Sequence, residues 1–174
     1  GTGVISVFVK SGASWEHQAD LFPTSSETAA SRATLGSSVA ISGDYVIAGD
    51  PVYATTGDPN TFGGGHHRNA GAAWVFRRTQ SGWVQDGFLQ ASDADEHDRF
   101  GWSVDIDGDV AVVGAYEQGP DASNDSGAAY VFQKIGADWV QVKKLKASYA
   151  DDNDRFGWSV AVDMLTIVVG ATRE

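Results

Sequence analysis

The residues best suited to chemistry in this sequence form two acidic segments, residues 93–98 and 151–154. Calcium takes about six to eight oxygen ligands, and clustered carboxylates supply such oxygens. The candidate ligands for Ca²⁺ or another hard cation are Asp95, Glu96, Asp98, Asp151, Asp152 and Asp154. The alternative interpretation is structural, because loop aspartates commonly accept backbone N–H bonds and pair with neighbouring arginines.

Two adjacent histidines, His66 and His67, lie beside three glycines in a long loop. Imidazole rings bind transition metals, and a plain exposed loop is the alternative. The sequence has no cysteine, which excludes disulfides, thiolate metal sites and a cysteine nucleophile. No nucleophile elbow, phosphate loop or zinc-helix motif occurs. We therefore predict a protein that is not an enzyme, with a hydrolase-associated domain as the enzyme-linked alternative.

The charge balance bears on the class of partner. The chain carries 23 acidic and 12 basic side chains, a formal net charge of −11. Such a charge repels the phosphates of nucleic acids and of anionic membranes. No apolar run approaches the ~18 residues that a membrane helix needs. We therefore expect no nucleic-acid partner and no membrane insertion.

The second acidic segment repeats the first because the chain contains an internal repeat. The pentapeptide FGWSV at residues 100–104 returns at residues 156–160, and GAAYVF at residues 127–132 matches GAAWVF at residues 71–76. Weaker copies stand at residues 35–39 and 3–8. A tryptophan follows each copy of the second segment at the same distance, as Trp15, Trp83 and Trp139. Three features that recur in the same order along the sequence indicate three copies of one unit.

Each repeat predicts four strands. In the middle copy, an apolar–polar alternation at residues 104–106 is followed by an Asp-Gly turn at Asp107 and Gly108, and then by the apolar run 110–113. A second hairpin follows, with a predicted five-residue loop at residues 134–138. In the last copy Met164 replaces the turn glycine, so we expect that turn to differ. The glycines that end the apolar runs, Gly49, Gly114 and Gly170, predict close approach of neighbouring strands.

Four antiparallel strands in a repeating unit are typical of a β-propeller blade, so the predicted fold is all-β. We place a half-blade at residues 1–22, whole blades at residues 35–92 and 100–148, and a complementary half-blade at residues 156–172. These parts form one module. The aromatic side chains are expected to fill the space between blades rather than to bind a ligand.

The repeated residues resemble the FG-GAP repeat, which builds the propeller of integrin α chains and occurs in bacterial and algal extracellular proteins. The Phe-Gly and Gly-Ala halves fit at residues 100–101 with 114–115 and at 156–157 with 170–171, whereas the first copy departs from them. The resemblance implies a propeller, an extracellular or cell-surface location, and a role in adhesion or in binding a protein or glycan. Fold alone does not define the ligand.

The resemblance also bears on calcium, because integrin-type repeats often hold this ion in a loop between their first two strands. The segment from Asp105 to Asp109 looks like a remnant of that loop, but its turn is too short to wrap around the ion. In the first copy, Ala33 and Thr34 replace the aspartate and arginine of the acidic segments, so no cation site is expected there.

Three repeats are few for a ring, because propellers have about four to eight blades. We expect either a homo-oligomer of two chains joined head to tail, or a longer propeller of which these residues are part; an open filament is the third possibility. We place the binding surface on the face that carries the variable loops 50–69 and 117–126. The alternative function is a structural building block of an extracellular assembly formed through the incomplete blades.

Overall fold

A computed structural model describes residues 3–24, 34–54, 69–119, 125–149 and 151–173. Within these ranges the protein is all-β, with twelve strands and no helix, and therefore no helix that could cross a membrane. The strands are β1 (Ile5–Ser11), β2 (Ser14–Leu21), β3 (Ser38–Ser42), β4 (Tyr45–Asp50), β5 (Ala72–Thr79), β6 (Gly82–Leu89), β7 (Ser103–Asp107), β8 (Val110–Ala115), β9 (Ala128–Ile135), β10 (Asp138–Leu145), β11 (Ser159–Asp163) and β12 (Thr166–Gly170).

The strands form four antiparallel sheets, each in chain order. Strands β3 to β6 make one four-stranded sheet, called blade 1, and β7 to β10 make blade 2. The pair β1–β2 is called the N-terminal half-blade, and the pair β11–β12 the C-terminal half-blade. The two whole blades share one register, since Gly49 lies opposite Ala73 just as Gly114 lies opposite Ala129. The prediction of propeller-like blades is confirmed.

The turns that join the first to the second strand and the third to the fourth strand of the blades each have two residues, which corrects one prediction. Ile135 pairs directly with Asp138, so the turn contains only Gly136 and Ala137 and not five residues. Gly136 has a φ of 63°, the left-handed conformation that a tight hairpin requires. The strands are longer than predicted because the polar residues beside the turn still pair across the ladder.

The turn at Met164 is a second correction. Met164 has a φ of 50°, close to the 54° of Gly108 and the 56° of Gly43 in the corresponding turns. Its turn has the same length, because Asp163 pairs with Thr166. A non-glycine residue pays a steric cost in this conformation, so the surrounding hairpin imposes the turn despite the substitution.

The core lies between neighbouring sheets. Ile47 and Val75 of blade 1 pack with Val104 and Ile106 of blade 2 in one buried cluster. A second cluster joins the N-terminal half-blade to blade 1, and a third joins blade 2 to the C-terminal half-blade. Trp74 is fully buried in the second cluster. Each blade is thus covered by its neighbour, and burial of these apolar faces stabilises their stacking.

The glycines at the ends of the second strands allow this stacking. A Cβ atom at Gly114 would collide with the carbonyl oxygen of Gly157 in the next blade, and one at Gly49 with the carbonyl oxygen of Gly101. The hydroxyl of Ser103 donates to the Gly157 carbonyl at 2.8 Å. The predicted close approach is confirmed at these two positions.

The antiparallel order gives the molecule two different faces. All described hairpin turns lie at one end of the sheets, which is called the turn face. The connections between second and third strands, and those between blades, lie at the other end, called the loop face. The loop face therefore carries the longer and more variable segments of the chain.

Candidate functional site at the loop face

The Phe-Gly segment connects each blade to the loop of the previous one. Phe100 is fully buried, and its N–H donates to the carbonyl of Ala70 at 2.9 Å. Gly101 has a φ of 89°, a conformation that few other residues adopt. Phe156 donates in the same way to Ser126, also at 2.9 Å. The signature residues therefore fix the positions of the loops on this face.

The acidic segments form loops of matching conformation just before these connections. The side chain of Asp98 is 2% exposed, and its Oδ2 accepts the N–H of Asp95 at 2.9 Å. Asp154 is 3% exposed and accepts the N–H of Asp151 at 2.6 Å. Both carboxylates thus close their own loops, as the structural interpretation of these segments predicts.

The other four candidate ligands, Asp95, Glu96, Asp151 and Asp152, are exposed on these loops. Within the described ranges, no three His, Asp or Glu side chains lie close enough together to hold one metal ion. Calcium binding here stays a prediction without support from the side-chain geometry.

Asp98 has a second distinctive property. Burial raises its pKa to about 7, and the nearby Asp95 and Asp93 carboxylates act in the same direction. Asp93 itself accepts Tyr130 Oη at 3.0 Å and Lys144 Nζ at 2.6 Å. Burial alone would raise the Asp93 pKa, but the hydrogen bonds from Lys144 and Tyr130 outweigh it and lower the pKa. The first acidic loop is thus an exposed segment that is anchored by the buried Asp98 and by the hydrogen bonds to Asp93.

Three aromatic rings meet on the loop face beside the C-terminal half-blade. Trp102 and Trp158 precede β7 and β11, and Tyr116 follows β8. The ring centroids are 4.5 Å apart for Trp102 and Tyr116, 4.9 Å for Tyr116 and Trp158, and 5.0 Å for the two tryptophans. The guanidinium carbon of Arg155 lies 5.6 Å from the rings of Tyr116 and Trp158. These four residues are called the aromatic cluster.

An ion pair flanks the aromatic cluster. Arg99 Nε donates to Glu117 Oε2 at 3.1 Å, with both side chains about a quarter exposed. Burial, together with the Glu117 carboxylate, raises the pKa of Tyr116 to about 12, so its hydroxyl stays protonated at neutral pH. The cluster and this ion pair therefore place cationic, anionic and aromatic groups side by side, with Tyr116 buried and the other side chains partly exposed.

The aspartates at the turn face have a structural role. Asp105 Oδ2 accepts the N–H of Val162 at 2.7 Å, and Asp107 Oδ2 accepts the N–H of Met164 at 2.7 Å. Both bonds cross from blade 2 to the C-terminal half-blade. The segment compared with a calcium loop thus connects two sheets.

A carboxylate network joins blade 1 to blade 2 as well. Asp86 accepts Lys134 Nζ at 2.6 Å, Trp139 Nε1 at 3.0 Å and Arg77 Nε at 3.1 Å. Burial would raise the pKa of Asp86, but these donors together lower it. Sequence reasoning missed this residue, because no repeated partner marks its position.

Parts of the predicted binding surface lie outside the described residues. These include His66 and His67, most of the loop 50–69, and the middle of the loop 117–126. Sequence reasoning also missed the aromatic cluster. The signal was present: Trp102 and Trp158 repeat at equivalent positions, and Ser37 replaces them in the first copy.

A comparison with family models matches residues 83–132 and 139–174 to the FG-GAP repeat. No curated protein matches the chain. Residues 1–82 lie outside the matched stretches, yet blade 1 has the strand order and registers of blade 2. FG-GAP repeats occur in extracellular and adhesion-type propeller proteins, and the family is typically non-enzymatic. On the matched repeats, their signature residues and the blade architecture, the chain belongs to the FG-GAP repeat family.

Proposed function

We propose that this protein is a non-enzymatic, extracellular binding module that takes a protein ligand at its loop face. The observation that carries the proposal is the aromatic cluster on this face. Trp, Tyr and Arg are the residues enriched among the energetic centres of protein–protein interfaces. Here Trp102, Trp158 and Arg155 are partly exposed around the buried Tyr116, beside the Arg99–Glu117 ion pair.

The geometry favours a protein over a glycan. Sugars stack on an open aromatic ring, whereas the three rings here pack edge to face or tilted against one another. Arg155 lies over two of the rings. The surface therefore offers ring edges, a cation and a carboxylate, which suit side chains and backbone groups of a protein. Glycan binding is an alternative outcome of the test below.

The surroundings of the cluster support the same role. The loop face carries the variable connections, whereas the turn face has only two-residue turns among the described residues. Variable loops on a rigid scaffold are the usual place for recognition. The extracellular occurrence of FG-GAP repeats in other proteins supports the location.

The test measures binding of the Trp102→Ser and Arg155→Gln variants to an array of immobilised extracellular-matrix proteins and oligosaccharides. Serine is the residue at the equivalent position of the first copy, so the fold accommodates it. We expect wild-type protein to bind at least one matrix protein and each variant to bind it at least about tenfold more weakly. Leu165→Ser, fully exposed on the turn face, is the matched control.

Circular dichroism and thermal melting of each variant establish that the fold is retained. If the wild-type protein binds only oligosaccharides, the ligand is a glycan and the proposed protein ligand is wrong. Equal binding by wild type and folded cluster variants would show that the ligand surface lies elsewhere.

A second candidate role is that of a building block in an extracellular assembly. It is favoured by the outer edges of β1 and β12, which have no neighbouring strand among the described residues. Unpaired strand edges promote association. A mass that keeps growing with protein concentration would support this role.

A further inference from the structure

An arginine precedes the Phe-Gly pair in two successive repeats, and the two arginines have different neighbours. Arg99 donates to Glu117, which lies on the connection that follows β8. Arg155 is the equivalent residue one repeat later, and the position that corresponds to Glu117 is Arg173. A cation therefore stands where the earlier repeat has the acidic partner.

The backbone brings Arg155 and Arg173 close together. The N–H of Arg173 donates at 3.3 Å to the carbonyl of Asp154, the residue before Arg155. The N–H of Thr172 donates to the same oxygen at 3.1 Å. The connection after β12 thus lies directly beside Arg155, as the equivalent connection lies beside Arg99.

Neither of these two arginines has a carboxylate partner within the described ranges. Arg77, Arg78 and Arg99 each form an ion pair there, whereas Arg155 and Arg173 form none. A guanidinium has N–H donors and no acceptor, so Arg173 gives Arg155 no substitute for a carboxylate. The donors of Arg155 are therefore left to water or to a ligand.

The aromatic cluster orients Arg155. Its guanidinium carbon lies 5.6 Å from the rings of Tyr116 and Trp158, and its side chain is partly buried. The two rings attract the cation and restrict its conformations before a ligand arrives. A guanidinium that is oriented and partly desolvated binds a carboxylate more strongly than a freely moving surface arginine does.

The acidic side chains nearby do not take the place of the missing partner. Asp154 is 3% exposed, and its carboxylate accepts the N–H of Asp151 in its own loop. Asp151 and Asp152 are exposed on that loop, and neither forms an ion pair with Arg155. Their charges, with the formal net charge of −11, repel a doubly charged ligand more than a singly charged one. The surroundings thus favour a single carboxylate over a phosphate.

We propose that Arg155 is a carboxylate-binding site, and that the protein ligand of the loop face places an acidic side chain on it. The planar carboxylate matches the fork of N–H donors on a guanidinium. The ligand thereby supplies to Arg155 the group that Glu117 supplies to Arg99. The inference rests on the proposed function, because it names the chemistry of the ligand at the same surface.

The test is a titration of ¹⁵N-labelled protein with the capped tripeptides Gly-Asp-Gly and Gly-Asn-Gly, followed by NMR. The indole N–H of Trp158 and the ε N–H of Arg155 report on the site. We expect Gly-Asp-Gly to shift both signals with half-saturation at about 1–10 mM, and Gly-Asn-Gly to need at least about tenfold more. Inorganic phosphate at the same pH and ionic strength should bind more weakly than Gly-Asp-Gly.

Three variants locate the binding. Arg155→Gln removes the cation, and Arg173→Glu restores the acid that the earlier repeat carries at this position, so both should abolish the shift. The matched control is Arg78→Gln, because Arg78 also lies over a tryptophan ring, 5.2 Å from that of Trp83, but already pairs with Asp44. This control should leave the shift unchanged. The dispersion of each spectrum shows whether the variant is folded.

Several outcomes would overturn the proposal. No shift, or equal shifts with the two tripeptides, would show that the site does not recognise a carboxylate. Binding that persists in folded Arg155→Gln or Arg173→Glu protein would place the carboxylate elsewhere. A lower half-saturation concentration for phosphate than for Gly-Asp-Gly would identify a phosphate site instead.

A further measurement distinguishes this inference from the proposed function. Carbodiimide coupling of methylamine to the carboxylates of a bound matrix protein should abolish its binding. If the modified matrix protein binds as well as the unmodified one, the carboxylate inference is wrong and the proposed protein ligand stands. If no matrix protein binds, the proposed function is wrong, and the tripeptide titration still decides whether Arg155 binds a carboxylate.

Discussion

The backbone N–H of Val162 donates to Oδ2 of Asp105 at 2.7 Å, across the junction between blade 2 and the C-terminal half-blade. The other oxygen of Asp105 accepts the N–H of Ile106 at 2.9 Å. A side chain that the family resemblance relates to calcium is therefore an acceptor that joins two sheets. Substitutions of Asp105 therefore measure how much this hydrogen bond stabilises the junction between the two sheets.

We expect Asp105→Ala to lower the free energy of unfolding by about 1–3 kcal/mol, because the Val162 amide loses its charged acceptor. Asp105→Asn keeps one acceptor oxygen and should lose less. Urea unfolding at a fixed chain concentration measures both. Asp109→Ala removes an exposed carboxylate in the same hairpin and should change stability by no more than about 0.5 kcal/mol. Equal losses in the Asp105 and Asp109 variants would contradict a role for the inter-blade bond.

The Asp86 network predicts a larger effect at the junction of blades 1 and 2. Asp86 and Lys134 are only 10% and 11% exposed, so Asp86→Ala leaves a largely buried cation without its main partner. We expect a loss of about 2–3 kcal/mol. The Asp44–Arg78 pair is well exposed, and Asp44→Ala should lose less than about 1 kcal/mol.

A double-mutant cycle with Lys134→Met separates the pair from the rest of the network. A coupling free energy near zero between the two positions would show that the short Asp86–Lys134 contact does not stabilise the fold.

Asp98 makes stability depend on pH. Its pKa is raised from 3.8 to about 7 by burial, so the folded protein holds a proton that the unfolded chain releases above about pH 4. The protonated Asp98 therefore contributes its full share to the free energy of unfolding below about pH 4, and this share is lost as the pH rises from there through 7. Asp98→Asn cannot ionise, so its stability relative to wild type should increase between pH 4 and pH 8.

Urea unfolding at several pH values measures that difference, with the exposed Glu96→Gln as a control for a change of charge in the same loop. A wild-type-to-variant difference that is constant across this range would mean that Asp98 ionises alike in the folded and unfolded chains.

Calcium binding at the acidic loops is tested by thermal melting. A bound ion must raise the melting temperature by mass action. Because Asp98 and Asp154 already accept backbone N–H bonds in their own loops, we expect no rise at millimolar calcium. A rise that disappears in Asp95→Asn or Asp152→Asn would instead establish the cation site predicted from the sequence.

The sequence by itself determined the strands, their order and the blade as the repeating unit. Alternation of apolar and polar residues defines a strand locally, and two segments such as FGWSV at residues 100–104 and 156–160 must fold alike. The turn predictions made from local sequence were wrong at Met164 and at Gly136, because pairing of the flanking strands imposed a two-residue turn at both places.

Only the tertiary structure decided what the individual side chains do. Asp98 closes a loop, Asp105 joins two sheets, and Trp102 meets Trp158 on the loop face. These roles depend on which residues of neighbouring blades come within hydrogen-bonding or packing distance. The stacking of the sheets sets these distances between blades, so they cannot be deduced from the order of residues within one repeat.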